Sequence, residues 1–233
     1  MSRETVRMHL NEAHAIADWL SSLMRPYCQR IEIAGSIRRR SDEVKDIELV
    51  AIPRFETKPG SELSLFETEP ERVNLLYQWA KRETRPEGKL AGRVRWIKPG
   101  THDVIDWPIK EDGKYWRALV RGGIKLDIFL PCPENFGLIF LIRTGAKDFS
   151  SAILGYAKQH TPYETERSYL ERHGLKGKPE SYLVERKTGQ RVVTREERDV
   201  FALLNLKYVE PRQRLGWQSI KPLSGGRKDN DGG

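Results

Sequence analysis

The chain has 233 residues, and its 41 Lys and Arg residues exceed its 33 Asp and Glu residues, giving a formal net charge of +8. This balance favours a polyanionic partner such as nucleic acid, and the length suits one or two domains. The first twenty residues are too charged for a signal peptide, and no apolar run reaches membrane-spanning length. We therefore expect no membrane association and a cytoplasmic location, and the small size of the chain suggests a prokaryotic or phage-infected cell. Cys28 and Cys132 are too few for a disulfide framework or zinc site, and we expect both to be buried.

The first predicted element is an amphipathic helix, because apolar residues recur at helical spacing over residues 3–28. Two strands are expected over 30–34 and 45–52, separated by a Gly-Ser turn and a short helix. Another helix is expected near 70–82, and the alternation and frequent turns that follow predict β-hairpins up to residue 121. The chain therefore opens with a βαβ-like pattern.

Helical patterns return in the second half, over 134–142, 147–160 and 195–204. A small sheet is expected over 181–193, around a Lys-Thr-Gly turn. The helix at 195–204 is expected to open with a capping box, because Thr194 is followed three residues later by Glu197. The polar, glycine-rich end of the chain predicts disorder.

Acidic residues stand on two short apolar runs, KDIELVAI and KLDIFLPC. Side chains at i and i+2 of a strand share a face, so Asp46 and Glu48 should project together while Ile47 and Leu49 turn inward. Asp127 can join them from a neighbouring strand. Three converging carboxylates repel one another unless a divalent cation holds them, and the cation implied is Mg²⁺ or Mn²⁺. The alternative is a solvated strand edge.

A Gly-Ser pair and an arginine cluster precede the first acid. Gly35 and Ser36 break the first strand where a helix could begin, and backbone N–H groups at such a turn can hold a triphosphate. Ser36 adds a hydroxyl, and Arg38, Arg39 and Arg40 add cations. Gly-Ser alone is a weak signal, but its combination with the arginines and the acidic strand is specific.

This arrangement resembles the family X DNA polymerases, typified by DNA polymerase beta, within the nucleotidyltransferase superfamily. The family motif falls on Gly35, Ser36, Arg38, Arg39, Asp46, Glu48 and Asp127. The segment FLIRTGAKDFS resembles the family's Thr-Gly turn, which implies that Thr144, Gly145 and Ser150 lie near the nucleotide, with helix capping the alternative for Thr144 and Ser150. The stretch from SYLERHGL to KYVEPRQR is similar to the family's thumb. The resemblance covers 31–52 and 122–214.

The resemblance implies an α+β fold, with a nucleotidyltransferase palm of mixed β-sheet flanked by helices and a small α+β thumb. We expect the palm over 1–146, with a family-unlike insertion over 53–121. The thumb is expected over 147–218 and a disordered tail over 219–233. Glu48 stands where the family usually has aspartate, which lengthens one metal-binding arm by a methylene group.

The resemblance also implies the chemistry: two Mg²⁺ ions, or Mn²⁺ in their place, bound by the three acids. Asp127 would hold the ion that activates a primer 3′-hydroxyl for in-line attack on the α-phosphorus. Ser36 and Arg39 are expected to contact the β- and γ-phosphates. Lys125, on the same face as Asp127, could hold the phosphate at the primer terminus.

Basic residues supply the predicted nucleic-acid contacts. Arg93, Arg95 and Lys98 surround Trp96, a pattern that suits phosphate contacts with occasional base stacking, although solvated hairpin charges are the alternative. Arg38 is expected to contribute from the palm. Further contacts are expected from the thumb residues Lys176, Lys178, Arg186, Lys187 and Arg191.

The sequence thus predicts a DNA polymerase that adds deoxynucleoside monophosphates from dNTPs to a primer. Templated gap filling in DNA repair or replication is the expected task, with primer-template or gapped DNA and a nucleoside triphosphate as partners. One alternative is untemplated transfer to DNA or RNA ends, or to a small molecule or protein. Another is a nucleic-acid-binding module that has lost catalysis.

Overall fold

A computed structural model describes residues 6–57, 72–98, 100–101, 103–106, 110–176 and 180–223. The chain forms two compact units, 1–133 and 134–233. This division precedes the boundary predicted at residue 146. The reason is that the helix predicted at 134–142 contributes Leu138 and Leu141 to the hydrophobic core of the second unit.

The described residues of the first unit form ten strands and three helices. In chain order they are β1 (Met8–His9), α1 (Leu10–Met24), β2 (Cys28–Ile33), α2 (Gly35–Arg38), β3 (Glu43–Val44), β4 (Asp46–Pro53), β5 (Phe55–Thr57), β6 (Arg72–Asn74), α3 (Leu75–Glu83), β7 (Arg95–Ile97), β8 (Val104–Ile105), β9 (Tyr115–Leu119) and β10 (Lys125–Phe129). Residues 70 and 71 of the predicted helix at 70–82 lie outside the described residues.

The main sheet of this unit is six-stranded and mixed, in the order β2-β4-β10-β9-β7-β8. The pair β4 and β10 is parallel, and every other neighbouring pair is antiparallel. A parallel pair cannot be joined by a tight turn, so the chain between β4 and β10 makes a long crossover. That crossover contains the stretch predicted as an insertion.

The core of the first unit lies between this sheet and the helices α1 and α3. Helix α1 contributes a stripe of residues at helical spacing, including Ala13, Ala17 and Leu20, and the strands contribute alternate residues such as Ile47 and Leu49. Burying each large aliphatic side chain stabilises the fold by about 1.5–3 kcal/mol relative to exposure.

Helix α1 is shorter than the helix predicted over 3–28. It begins at Leu10 because Met8 and His9 pair as a strand with Val44 and Glu43. It ends at Met24 because Pro26 lies in a 3₁₀ turn that leads directly into β2. The apolar periodicity therefore predicted the buried face but not the ends.

The second unit combines four helices with a small sheet among its described residues. Its elements are α4 (Phe136–Thr144), α5 (Lys147–His160), β11 (Tyr163–Thr165), α6 (Glu166–Arg172), β12 (Leu183–Glu185), β13 (Arg191–Val192) and α7 (Glu197–Leu203). The sheet is antiparallel, in the order β11-β12-β13. The core joins apolar residues of α4, α5, α7 and β12. Both units are thus mixed α and β structures.

Two local predictions in the second unit differ from the structure. The capping box of α7 is formed by Glu196 and Asp199, since the Glu196 N–H donates to Asp199 Oδ2 at 2.8 Å. Thr194 instead lies before the cap, where its N–H and carbonyl bond with Glu134 and Gly137. Residues 221–223 of the predicted tail pair with residues 205–207 after α7, and residues 224–233 lie outside the described residues.

The cysteines occupy different environments. Cys28 is buried, and this burial raises the pKa of its thiol to about 12. Cys132 is exposed, so the expectation that both are buried is wrong. Neither forms a disulfide. Within the described ranges, the helices are too short or too polar to cross a membrane.

Candidate active site

Strand pairing places the three predicted acids on one face of the main sheet. Because β4 and β10 are parallel neighbours, Asp46 lies opposite Lys125 and Glu48 lies opposite Asp127. Alternate residues of a strand share a face, and neighbouring strands lie about 4.8 Å apart. The carboxylate face, defined as Asp46, Glu48 and Asp127, therefore brings together residues far apart in sequence. The fourth position of this arrangement is Lys125.

The carboxylate of Asp127 is bound by two residues of the neighbouring strand β9. Arg117 Nε donates to Asp127 Oδ1 at 2.8 Å, and Arg117 Nη2 donates to Oδ2 at 2.9 Å. The hydroxyl of Tyr115 donates to Oδ1 at 2.7 Å. We call Arg117 and Tyr115 the Asp127 clamp. Hydrogen bonding to Asp127 raises the pKa of Arg117, as expected for a bidentate charged pair.

Asp46 lies in an environment that disfavours its charged form. Burial, and then the neighbouring carboxylate of Asp127, raise the pKa of Asp46. The cations Lys125, Arg117 and Arg39 act in the opposite direction. Three carboxylates and three cations thus share this region, so the protein supplies its own counter-charge.

Glu48 lies over the start of α2. A Cβ atom added to Gly35 would overlap Glu48 Oε2, so the absence of a side chain at Gly35 leaves room for this carboxylate. Gly35 has φ +63°, in the left-handed region that favours glycine. The close approach and the backbone conformation both explain why the Gly-Ser pair begins here with glycine.

The predicted phosphate contacts flank the carboxylate face. Ser36 Oγ is buried and has no hydrogen-bond partner in the part of the chain that the structure describes. Burial lowers the pKa of Arg39, while the carboxylates of Glu48 and Asp46 act to raise it. Helix α2 has four residues, so its dipole adds little. Any anion binding here would therefore depend on side chains and individual backbone N–H groups rather than on a helix dipole.

The donor set can be compared with the needs of a divalent cation. Carboxylate oxygens are the ligands that Mg²⁺ and Mn²⁺ prefer, and the strand register puts three of them on one face. In their present rotamers, no three acidic, His or Cys side chains within the described ranges converge as a metal site. The donor chemistry and the backbone fit the ion, but Asp127 is occupied by its clamp.

Three predicted nucleotide contacts belong to the second unit, around the start of α5. The Ser150 hydroxyl donates to the Ile142 carbonyl at 2.7 Å, and Thr144 is fully buried. A Cβ on Gly145 would contact Phe149 and Ser150, so Gly145 permits close packing of this turn. These contacts explain the Thr-Gly turn by packing, and its role in nucleotide binding stays a prediction.

The basic segment at 93–98 differs from the prediction in one respect. Arg93, Arg95 and Lys98 are exposed, but Trp96 is 2% exposed and packs edge-on against Trp116. The prediction that Trp96 stacks with bases is therefore wrong, because period-two alternation turns it to the core face.

Some predicted thumb contacts already have partners within the second unit. Arg186 donates to the Thr161 carbonyl at 2.8 Å, and Arg191 forms ion pairs with Glu166 and Glu180. These arginines brace the small sheet. Lys187 is exposed at the β12–β13 turn, and Lys178 lies outside the described residues.

Sequence reasoning missed the Asp127 clamp. A signal was present: Gly122 and Gly123 form a turn with positive φ between β9 and β10. The resulting register places Arg117 opposite Asp127. Counting alternate residues outward from the glycine pair would have found this contact.

The comparisons with known proteins concern the second unit. Residues 139–215, about a third of the chain, match the family model described as DNA polymerase beta thumb. This match confirms the thumb part of the resemblance and points to a polymerase beta-like or DNA-binding role. A comparison with curated proteins finds no match.

Proposed function

We propose that the chain is a metal-dependent DNA polymerase of the beta-like type, which adds deoxynucleoside monophosphates from dNTPs to a primer 3′-hydroxyl. The observation that carries the proposal is the β4–β10 register, which aligns Asp127 with Glu48 beside Asp46. The thumb match supports it independently, because a thumb implies DNA binding. Gap filling during repair or replication is the proposed task.

The residues of the carboxylate face would hold Mg²⁺, with Mn²⁺ as a substitute. When bound, the ions would offset charge on the triphosphate and lower the pKa of the primer hydroxyl. Ser36 would donate a hydrogen bond to a phosphate oxygen, which would satisfy its buried hydroxyl. Arg39 would add positive charge there, and exposed Lys125 would bind the primer phosphate.

A second candidate is a DNA-binding module without catalysis. The observation that favours it is the Asp127 clamp, which neutralises one carboxylate without any metal. In that case the thumb-like unit would bind DNA, and Asp127 would serve only as the structural partner of Arg117 and Tyr115.

The test is extension of a primer on a gapped DNA duplex with Mg²⁺ or Mn²⁺, offering each dNTP and rNTP singly. Addition of only the complementary deoxynucleotide is expected. The Asp127→Asn variant should lose activity by about 10²–10³-fold, the usual effect of removing one electrostatic stabiliser. Asp112→Asn, an exposed aspartate in the turn before β9, is the matched control.

Other outcomes would replace the proposal. Extension of a primer without template, or indifference to the template base, would indicate untemplated transfer. Absence of extension in every condition, with DNA binding intact, would favour the non-catalytic module. Full activity of Asp127→Asn would remove Asp127 from the site.

A further inference from the structure

The Asp127 clamp uses most of the bonding capacity of the third carboxylate. A carboxylate offers about four lone-pair positions. Arg117 takes one on each oxygen and Tyr115 takes a second on Oδ1. Counting the described residues, one position on Oδ2 remains, directly beside a guanidinium, where positive charge repels a cation.

Burial protects the Arg117–Asp127 ion pair from screening by dissolved salt. The side chain of Asp127 is 7% exposed and that of Arg117 is 32% exposed. Dissolved salt screens buried pairs much less than exposed ones, and Arg is weakly hydrated enough to serve in such pairs. Arg117 is nevertheless partly exposed to solvent, which its side chain would enter if the pair opened.

We propose that Arg117 and a divalent cation compete for the carboxylate of Asp127, so that the cation binds fully only when the Arg117–Asp127 pair opens. This inference rests on the proposed function, because it takes Asp127 as a metal ligand. A buried carboxylate without a counter-charge is costly, and Arg117 supplies that charge while the metal is absent. Tyr115 holds the carboxylate in the orientation that Arg117 requires.

The structure offers a matched control pair for this clamp. On α3, Arg82 Nε donates to Glu83 Oε1 at 2.9 Å and Arg82 Nη2 donates to the Tyr27 hydroxyl at 3.2 Å. This trio also joins an arginine, a carboxylate and a tyrosine, but Arg82 is exposed and lies outside the main sheet. Arg82→Gln therefore removes a comparable arginine without touching the carboxylate face.

The experiment is a titration of the full chain with Mn²⁺, in which free Mn²⁺ is followed by electron paramagnetic resonance. Arg117→Gln should bind Mn²⁺ about tenfold more tightly than the unmodified protein, which corresponds to about 1.4 kcal/mol. Arg117→Lys should lie between them, because it keeps the charge but loses the bidentate geometry. Arg82→Gln should bind like the unmodified protein.

Thermal melting gives a second readout. Without metal, Arg117→Gln should melt at a lower temperature because Asp127 loses its counter-charge. Saturating Mn²⁺ should raise its melting temperature by more than it raises that of the unmodified protein. If Arg117→Gln does not fold, Tyr115→Phe decides the matter, with an expected gain in Mn²⁺ affinity of about threefold from the loss of one hydrogen bond.

The proposal is overturned if folded Arg117→Gln binds Mn²⁺ with equal or lower affinity, since the arginine would then position Asp127 for the metal. Unchanged Mn²⁺ affinity of Tyr115→Phe would likewise overturn the proposal. Asp127→Asn separates the two hypotheses. If it abolishes Mn²⁺ binding while Arg117→Gln shows no gain, only the competition is wrong; if it leaves binding unchanged, the metal assignment fails as well.

Discussion

A side chain on Gly35 would stand 3.2 Å from Glu48 Cβ and would overlap the Glu48 carboxylate. Gly35→Ala should therefore displace Glu48, and it would place a non-glycine residue at φ +63°. We expect a loss of about 1–2 kcal/mol in unfolding free energy from the backbone strain and a larger fractional loss of primer extension. Urea unfolding and extension assays on the same preparation measure both.

Gly155→Ala is the control for this change. Gly155 lies within α5, where an added Cβ meets open space. Alanine should be neutral or stabilise by up to about 1 kcal/mol there. Equal activity of Gly35→Ala and Gly155→Ala would show that the position of Glu48 does not matter for extension.

Asp46→Asn should separate stability from activity. Because the folded protein raises the pKa of Asp46, the protonated form favours folding, and this contribution is lost as pH rises above the ordinary aspartate range. In metal-free buffer, Asp46→Asn should therefore melt at a higher temperature than the unmodified protein, by an amount that grows from about pH 4 upward.

Melting curves from about pH 3.5 to pH 8 test this expectation, with Asp112→Asn as a control for the change in net charge. Primer extension by Asp46→Asn should fall strongly. A melting difference that stays constant with pH, or a variant that is less stable at the alkaline end, would contradict the assigned environment of Asp46.

Arg214 should be essential to the second unit. It is fully buried, it pairs with Glu197, and its Nε donates to the Val209 carbonyl at 2.9 Å. Arg214→Ala would break the buried ion pair with Glu197, and breaking such a pair from one side costs about 3–5 kcal/mol. Chemical unfolding should show this loss, whereas Arg212→Ala, exposed two residues earlier, should stay near the unmodified value.

The exposed cations of the segment at 93–98 should contribute to DNA binding without sequence preference. Contacts with about six phosphates would make log K fall against log salt with a slope near −5. Replacing Arg93, Arg95 and Lys98 together by alanine should make the slope shallower by about 1 for each phosphate that the variant no longer binds. Fluorescence anisotropy in rising NaCl measures the slope, with Arg82→Gln as the control.

An unchanged slope in the triple variant would mean that these cations are merely solvated. A flat salt response of the unmodified protein would instead remove the polyanion argument altogether.

Periodicity predicted much of the fold. The alternation around Asp46 placed both acids on one strand face, and the helix over 147–160 has the predicted bounds. Helix ends were less predictable. Met8 is not part of α1 because it pairs with Val44 of a strand, and this pairing exists only in the tertiary structure. Local sequence does not indicate such a distant partner.

The site was predictable only in its acids. Arg117 reaches Asp127 through the register of β9 and β10, which depends on the geometry of one glycine turn. The prediction for Trp96 failed because the basic composition of the surrounding segment suited nucleic acid, whereas Trp96 lies on the strand face that packs into the core. Pattern indicates which residues share a face, but the core decides which face is covered.

The parallel pair of β4 and β10 has a consequence for synthesis. A ribosome delivers β4 and β9 before β10, yet β10 lies between them in the finished sheet. Until β10 enters, the facing edges of β4 and β9 present unpaired backbone groups, which are the surfaces through which growing chains aggregate. The nascent protein therefore passes through a stage in which it is vulnerable to misassembly and its carboxylate face still lacks Asp127. The entry of β10 completes the sheet and the carboxylate face together.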